Sequence, residues 1–175
     1  AMSRTRPSEP PRPRAHRRVG RRAAIATAVV LGASGCLGTF PNDAQGTLEQ
    51  AAQGELRVGV SENPPHTRVD PDGQVSGTEV DLITEYANGI GAEIQWSPGG
   101  ENVLAEAMGA GELDIVIGGL SSDAPWTSDI ALTRPYATIR APDGSTKKLV
   151  MGVQPGENAL MIDLELYLAR QAGEL

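Results

Sequence analysis

Thiol and imidazole groups are scarce in this chain of 175 residues. Its one cysteine is Cys36, and its two histidines are His16 and His66. One cysteine cannot form a disulfide within the chain or build the cysteine-rich sets that hold zinc and iron–sulfur clusters. We therefore expect no resident metal and no other cofactor. No Ser-His-Asp set can be recognised either, so we expect a protein that is not an enzyme.

Positive charge is scarce beyond residue 35. Residues 36–175 contain 7 lysines and arginines against 21 aspartates and glutamates, which gives a net charge of −14. A nucleic-acid surface needs cations clustered along the phosphate backbone, and seven scattered ones cannot build it. The same imbalance disfavours adhesion to anionic lipid headgroups. We therefore expect no nucleic acid as a partner.

The first 35 residues have the organisation of an export signal. Residues 1–22 carry eight arginines and one acid, residues 23–31 (AAIATAVVL) are apolar, and small residues precede Cys36. The apolar run is too short to span a bilayer, and the pattern is typical of a secretory signal. Because a cysteine follows directly, the segment resembles a lipoprotein signal peptide with Cys36 as the lipid-modified first residue. A free buried cysteine, or an ordinary signal cleaved nearby, are the alternatives.

This organisation divides the chain into three parts. Residues 1–35 are predicted to be the lipoprotein signal peptide. Residues 36–54 are small and polar, which predicts a flexible tether between anchor and domain. Residues 55–173 are predicted to form a single lobe, attached to the membrane through its lipid anchor only.

Strands and helices alternate in the first part of the lobe. Strands are predicted at residues 56–60, 92–96 and 113–117. The intervening helices begin at residue 78, where residues 78–81 (TEVD) are predicted to form a capping box, and near residue 103. Residues 70–73 (DPDG) are predicted to turn a hairpin. The β-α-β-α-β order predicts a parallel sheet with right-handed crossovers.

The chain then returns along the sheet. Residues 130–139 are predicted to be extended, residues 141–144 to turn, and residues 148–153 to form a strand. A final helix over residues 155–171 has one apolar face, made of Leu160, Met161, Leu164, Tyr167 and Leu168, and a separate stripe of Ile162 and Leu166. The predicted fold class is therefore α/β: a single three-layer lobe whose mostly parallel central sheet has one antiparallel returning strand.

The third predicted strand is followed by GGLSS, residues 118–122. Small and hydroxyl residues leave backbone and hydroxyl groups accessible at the carboxyl end of a strand, which is where open α/β sheets bind small ligands. The alternative is that Ser121 and Ser122 only satisfy backbone groups of the next turn.

Several motifs together resemble bacterial extracytoplasmic solute-binding proteins of family 3. They are LRVGVSENPPH, DGQVSGTEVDLI, GELDIVIGGLSS and TRPY, with GVQPGENALMIDLELYLAR near the end. The family pattern has Pro-Pro-Phe in the first motif and Gly-Phe-Asp-Val-Asp-Leu in the second. The resemblance implies lobe one of a periplasmic binding protein type 2 fold. It also implies a lipid-anchored extracytoplasmic component that binds a small polar metabolite for an ABC importer.

The resemblance implies a set of ligand contacts as well. The loop after the first strand supplies Ser61, Glu62, Asn63 and His66, and the turn after the third strand supplies Gly118, Gly119, Ser121 and Ser122. Without gaps, Trp126 aligns with the arginine that binds the ligand carboxylate in the family, and an indole can only stack and donate one hydrogen bond. His66 stands in the place of the phenylalanine of Pro-Pro-Phe. The alternatives are a solvated His66 and a Trp126 that packs as a lid on the core.

A second lobe has no room in this chain. Only residues 137–147 separate the Pro-Tyr segment from the returning strand, which allows a hairpin but not a domain. One lobe offers half of a cleft, so a small ligand needs a second surface. A second copy of this chain in a homodimer, a different protein or a transporter permease could supply it. The alternative function is a sensory or protein-interaction module that kept the fold of lobe one and lost ligand binding.

Overall fold

Helices and strands account for most of the described chain. The computed structural model describes residues 43–124, 128–141 and 143–174. These residues form the helices α1 (Thr47–Ala52), α2 (Thr78–Ile90), α3 (Glu101–Gly109) and α4 (Asn158–Gln171). The strands are β1 (Glu55–Val60), β2 (Arg68–Val69), β3 (Val75–Ser76), β4 (Glu93–Pro98), β5 (Ile115–Ser121), β6 (Ala131–Leu132), β7 (Ala137–Arg140) and β8 (Thr146–Val153).

The central sheet has the strand order β4-β1-β5-β8, and both β6 and β7 pair with the far side of β8. β1 is parallel to β4 and β5, so Val58 lies opposite Trp96 on one side and Ile115 on the other. β8 is antiparallel to β5, β6 and β7. The mostly parallel sheet and its antiparallel returning strand are confirmed, and the predicted extended segment supplies two further antiparallel strands. β2 and β3 form the predicted hairpin.

Helices cover both faces of the sheet. Ile115 and Ile117 of β5 pack with side chains of α2 and α4, whereas Val116 packs with Leu104 and Met108 of α3. Successive residues of a strand point to opposite faces, so α3 lies on the face opposite α2 and α4. The predicted three-layer lobe is therefore confirmed. Each fully buried aliphatic side chain contributes roughly 1.5–3 kcal/mol to the stability of these layers.

Helix α4 has the two apolar stripes that its sequence predicts. Leu160, Leu164 and Leu168 are buried against the sheet, whereas Ile162 and Leu166 are 42% and 39% exposed. The spacing of three to four residues places the buried leucines on one side of the helix. No helix within the described ranges is long and apolar enough to cross a bilayer.

The predicted flexible tether is wrong for residues 43–54, because this segment is packed into the lobe. Ala51 of α1 is fully buried in a core cluster that it shares with α2 and α4. The rest of the predicted tether, the predicted signal peptide and Cys36 lie outside the described residues. Every described residue belongs to one compact unit of the chain.

Two acidic residues hold this N-terminal segment against α4. The buried carboxylate of Glu157 accepts a hydrogen bond from the backbone N–H of Thr47, at 3.2 Å. The carboxylate of Asp43 accepts one from Leu48, at 3.0 Å, and one from Ala159, at 3.2 Å. The first N–H groups of a helix have no partner within it. These carboxylates accept hydrogen bonds from such N–H groups at the start of both α1 and α4.

The strand β5 is longer than the sequence predicts. Its register against β8 shifts between Val116 and Leu120, and pairing resumes with Leu120 opposite Val150 and Ser121 opposite Leu149. The predicted turn over residues 118–122 is therefore wrong for residues 118–121, which form an irregular part of the strand because β8 still pairs beyond the glycines.

Candidate functional site

The loop after β1 folds back on itself at the carboxyl edge of the parallel strands. The backbone N–H of Ser61 donates to the carbonyl of Ile117 at 2.9 Å, which keeps the loop against β5. The backbone N–H of Asn63 lies 3.1 Å from Oγ1 and 3.0 Å from the carbonyl oxygen of Thr67. The buried Thr67 hydroxyl in turn donates to the carbonyl of Ser61. The loop is therefore shaped by its own hydrogen bonds.

The two glycines of β5 let this loop approach the strand closely. Gly119 has φ +63°, and a Cβ there would lie 2.6 Å from Nδ2 of Asn63 and 2.8 Å from Cδ2 of His66. A Cβ at Gly118 would lie 2.7 Å from Cβ of Ser61. Nδ2 of Asn63 donates to the carbonyl of Gly118 at 2.9 Å. Any larger residue at either glycine would displace the loop. Five predicted site residues therefore lie together: Ser61, Asn63, His66, Gly118 and Gly119.

A buried acid that the sequence analysis missed holds the glycines from the other side. Glu79, in the first turn of α2, is fully buried. One oxygen of its carboxylate, Oε2, accepts hydrogen bonds from the backbone N–H groups of Gly118, at 2.8 Å, and Gly119, at 2.9 Å. A signal was available, because Glu79 has helical spacing with Ile83 and so lies on the buried face of α2.

The predicted capping box at the start of α2 is wrong. The helix begins after Gly77, and no side chain caps it. The carbonyls of Pro65 and His66 accept hydrogen bonds from Thr78 and Glu79 instead, at 3.3 and 3.0 Å. This contact requires Gly77, because a Cβ there would lie 2.3 Å from the carbonyl oxygen of His66. The loop after β1 therefore satisfies the free N–H groups that a capping side chain would otherwise bind.

Tyr136 completes the buried cluster around Glu79. Its hydroxyl donates to Oε1, the second oxygen of the Glu79 carboxylate. Burial, and then the negative charge and hydrogen bond of Glu79, raise the pKa of Tyr136 well above its usual value. The tyrosine therefore remains a neutral donor, and the segment before β7 is joined to the glycines of β5 through one carboxylate.

The remaining predicted site residues do not take part in the contacts between the loop after β1 and the glycines of β5. Glu62 is exposed in the loop after β1. The Ser121 hydroxyl hydrogen-bonds to Asp123 and lowers the pKa of that carboxyl. The backbone N–H of the exposed Ser122 donates to the carbonyl of Lys148 at 3.0 Å. The Ser121 side chain thus contacts the following turn, whereas the described contact of Ser122 is a backbone hydrogen bond to β8. Trp126 lies outside the described residues.

The site presents polar side chains beside the backbone of β5. It combines the Asn63 carboxamide, the half-buried His66 imidazole and the irregular backbone of β5 at Gly119. No group of three or more His, Cys, Asp or Glu side chains suited to a metal is found in the described part of the chain. An arrangement of this kind can bind a small polar ligand through hydrogen bonds.

Solved structures with a similar fold include amino-acid-binding proteins. The arginine-bound form of domain 1 from TmArgBP has a TM-score of 0.60 and 25% identity, covering 70% of this chain and 97% of that one. An ancestral cationic amino acid solute binding protein has a TM-score of 0.63 and covers 73% of this chain and 94% of that one. Its 14% identity supports the fold alone.

A curated relative from Campylobacter jejuni carries the name "Probable histidine-binding protein". It is 28% identical over 81 residues, which are 46% of this chain. The matched residues span 32% of that relative, so the chain covers about a third of its length.

The match to a family model is wider. The model of the bacterial extracellular solute-binding proteins, family 3, covers residues 56–170, well over half of the chain. This span contains nearly all of the central sheet and of the helices α2 to α4. It also contains the loop after β1 and the glycines of β5, which form the site. The resemblance predicted from the motifs and the type 2 lobe-one fold are both confirmed. The chain belongs to the bacterial extracellular solute-binding proteins, family 3.

Proposed function

We propose that this chain is a lipid-anchored extracytoplasmic component that binds a small polar metabolite of the amino-acid type for an ABC importer. It holds the ligand without converting it and uses no cofactor. The observation that carries this proposal is the convergence of Ser61, Asn63 and His66 on the backbone of Gly118 and Gly119 at the carboxyl edge of the sheet.

The chemistry of this edge suits a ligand with several hydrogen-bonding groups. A carboxamide has two N–H donors and one acceptor oxygen, and the described contacts of Asn63 use one of these donors, toward Gly118. The exposed Glu62 adds negative charge in a domain that is already strongly acidic. That field favours a ligand with a protonated amine.

A single lobe with a bound ligand has a precedent among the matched structures. The matched structure of TmArgBP consists of domain 1 and is described as arginine-bound. In this chain β7 and β8 form a hairpin between residues 137 and 153, where a second lobe would otherwise leave the sheet. We propose that a second copy or a partner protein covers the open half of the site, because enclosing a small ligand buries most of its surface.

The membrane and transporter parts of the proposal have separate support. The basic and apolar segments before Cys36 support export and lipid attachment. Membership of a solute-binding family, which is extracytoplasmic, supports delivery to an importer. The C. jejuni relative named for histidine binding supports an amino-acid-type ligand.

A sensory or protein-interaction module is the second candidate. Trp126 in place of the expected arginine favours it, because an indole cannot form the paired hydrogen bonds that hold a carboxylate. In that case the edge of the sheet would bind a protein surface rather than a metabolite.

A thermal-shift screen of residues 37–175 separates the two candidates. The probes are amino acids, amines, organic acids and sugars. A ligand at about 100 times its Kd adds about 2.7 kcal/mol to the free energy of unfolding, so the melting temperature must rise. Asn63→Ala should reduce the shift, and Asn88→Ala, an exposed asparagine on α2, should not. If no probe raises the melting temperature, the receptor proposal is wrong.

The mass in solution tests how the site is completed. Light scattering with and without a bound ligand should reveal a dimer if a second copy covers the ligand. A monomer under both conditions would exclude a site shared between two copies. A different protein would then have to supply the second surface.

A further inference from the structure

We infer that the ligand carries an uncharged apolar group, and that this group occupies a groove beside Gly119 that we call the apolar groove. The inference rests on the proposed function, since it names the class of ligand that the same site takes. It follows from the shape of the groove, its lack of charge and its continuity with the site.

The apolar groove lies between the beginning of α2 and the end of α4 and has a volume of about 300 Å³. Ala137, Ile139 and Leu149, from the β7–β8 hairpin, line it together with Leu82 of α2 and Leu168 of α4. Ligand pockets of whole small molecules span roughly 300–1,000 Å³. The groove is at the lower end of this range, so it has room for a side-chain-sized group while the polar end of the ligand stays beside Asn63.

Two residues of the groove connect it to the glycines of β5. His66 lines the groove, and its Cδ2 atom lies against Gly119. Tyr136 also lines it and donates to the Glu79 carboxylate that holds both glycines. A ligand hydrogen-bonded beside Asn63 therefore lies next to the opening of the groove.

The groove has no acidic, lysine or arginine side chain in its lining. This is notable because the neighbouring pocket, of about 360 Å³, is lined by Arg134, Lys148, Glu165 and Glu174. A charged ligand group buried without a partner would be strongly disfavoured, whereas an apolar group gains from leaving water. The groove therefore selects a branched aliphatic or aromatic group.

Two sequence differences coincide with the groove. His66 stands where the family pattern has the phenylalanine of Pro-Pro-Phe, and Thr78 stands where it has the phenylalanine after glycine. Both residues line the groove. The replacement of a phenyl ring by the smaller threonine side chain leaves space at the start of α2, so the groove is a property of this chain's own sequence.

Calorimetric titration of residues 37–175 with alanine, serine, leucine and phenylalanine tests the inference. Leucine or phenylalanine should bind at least about tenfold more tightly than alanine, because each buried methylene adds to the affinity. Thr78→Phe, which fills the groove from α2, should reduce that ratio to near one. Thr84→Phe makes the same change at an exposed position of α2 and should preserve the ratio. If Thr78→Phe does not fold, Ala137→Leu replaces it as the test variant, because it fills the groove from the β7–β8 hairpin.

The outcomes separate this inference from the proposed function. If alanine and serine bind as tightly as leucine and phenylalanine, and filling the groove changes nothing, the inference is overturned while the receptor function stands. If filling the groove abolishes a dimer seen by light scattering without changing the ratio, the groove belongs to a protein interface and the inference is also overturned. Binding of no amino acid overturns both.

Discussion

The carboxylate of Glu79 lies 2.8 Å from the backbone nitrogen of Gly118, although the two residues are 39 positions apart. The same oxygen binds Gly119, and the other oxygen accepts from Tyr136. A fully buried charge is tolerated only with such a set of donors. One side chain therefore joins the start of α2, the irregular part of β5 and the segment before β7.

Replacing Glu79 with glutamine should destabilise the lobe. The glutamine oxygen can accept from both glycine N–H groups, but its N–H₂ then faces the Tyr136 hydroxyl, which loses its acceptor, so the substitution should cost about 1–3 kcal/mol in total. Urea denaturation of Glu79→Gln should give a free energy of unfolding lower by about that amount. Glu106→Gln, at an exposed position of α3, should stay within about 0.5 kcal/mol of the parent. Equal effects from the two variants would contradict the role given to Glu79.

Gly119→Ala should damage the site by displacing Asn63 and His66. Its matched control is Gly73→Ala, since Gly73 also has positive φ, +80°, but a Cβ there would meet nothing within 4 Å. Both variants carry the strain of an alanine in the left-handed region, about 1–2 kcal/mol. Only Gly119→Ala adds overpacking, about 1–3 kcal/mol, and only this variant should lose affinity for a ligand found by the thermal-shift screen. A similar loss of affinity in Gly73→Ala would show that backbone strain alone is responsible.

The three tyrosines of the chain should resist ionisation while the lobe is folded. Burial and nearby Asp163 raise the pKa of Tyr86, as burial and Glu79 raise that of Tyr136. Burial and a hydrogen bond to Glu85 raise the pKa of Tyr167 to about 12. In ultraviolet titration we expect no phenolate near pH 10, the usual pKa of tyrosine, and Tyr167→Phe should remove the first phenolate to form.

The same pKa shifts predict the direction of alkaline denaturation. A tyrosine whose pKa is raised by folding contributes stability that is fully present below pH 10 and is lost as the pH rises through the folded value, because the unfolded chain releases its protons first. The free energy of unfolding should therefore fall above pH 10. Tyr136→Phe should make this fall shallower, and an unchanged slope would contradict the shift at Tyr136.

Local patterns predicted most of the fold. The apolar run of residues 113–117 and the spacing of Leu160, Leu164 and Leu168 depend on neighbouring residues only, so the strands and helices could be placed from sequence. Ser61, Asn63 and His66 were predicted as ligand contacts from the resemblance to the family, whose contacts lie in the loop after the first strand. Local patterns of this kind can be recognised without knowing which distant residues become partners.

The missed features depend on distant partners. The first turn of α2 has the residue types of a capping box, yet its N–H groups bind the carbonyls of Pro65 and His66. Residues 43–54 have the composition of a linker, yet Glu157 binds the N–H of Thr47 from 110 positions away. A polar segment becomes part of a fold when its backbone groups find buried acceptors, and composition does not report those acceptors.

Removing the Glu157 carboxylate should release α1 from the lobe. It binds the backbone N–H of Gln45 at 2.9 Å as well as that of Thr47, so Glu157→Ala leaves both donors without their acceptor and should cost about 2–4 kcal/mol. Hydrogen exchange of the amides in α1 should accelerate more than exchange in β5, because α1 is six residues long and depends on packing for its stability. Glu174→Ala, an exposed acid after α4, should change neither quantity. If α1 exchanges as fast in the parent as in Glu157→Ala, the segment is the flexible tether after all, and the carboxylate contributes nothing to its order.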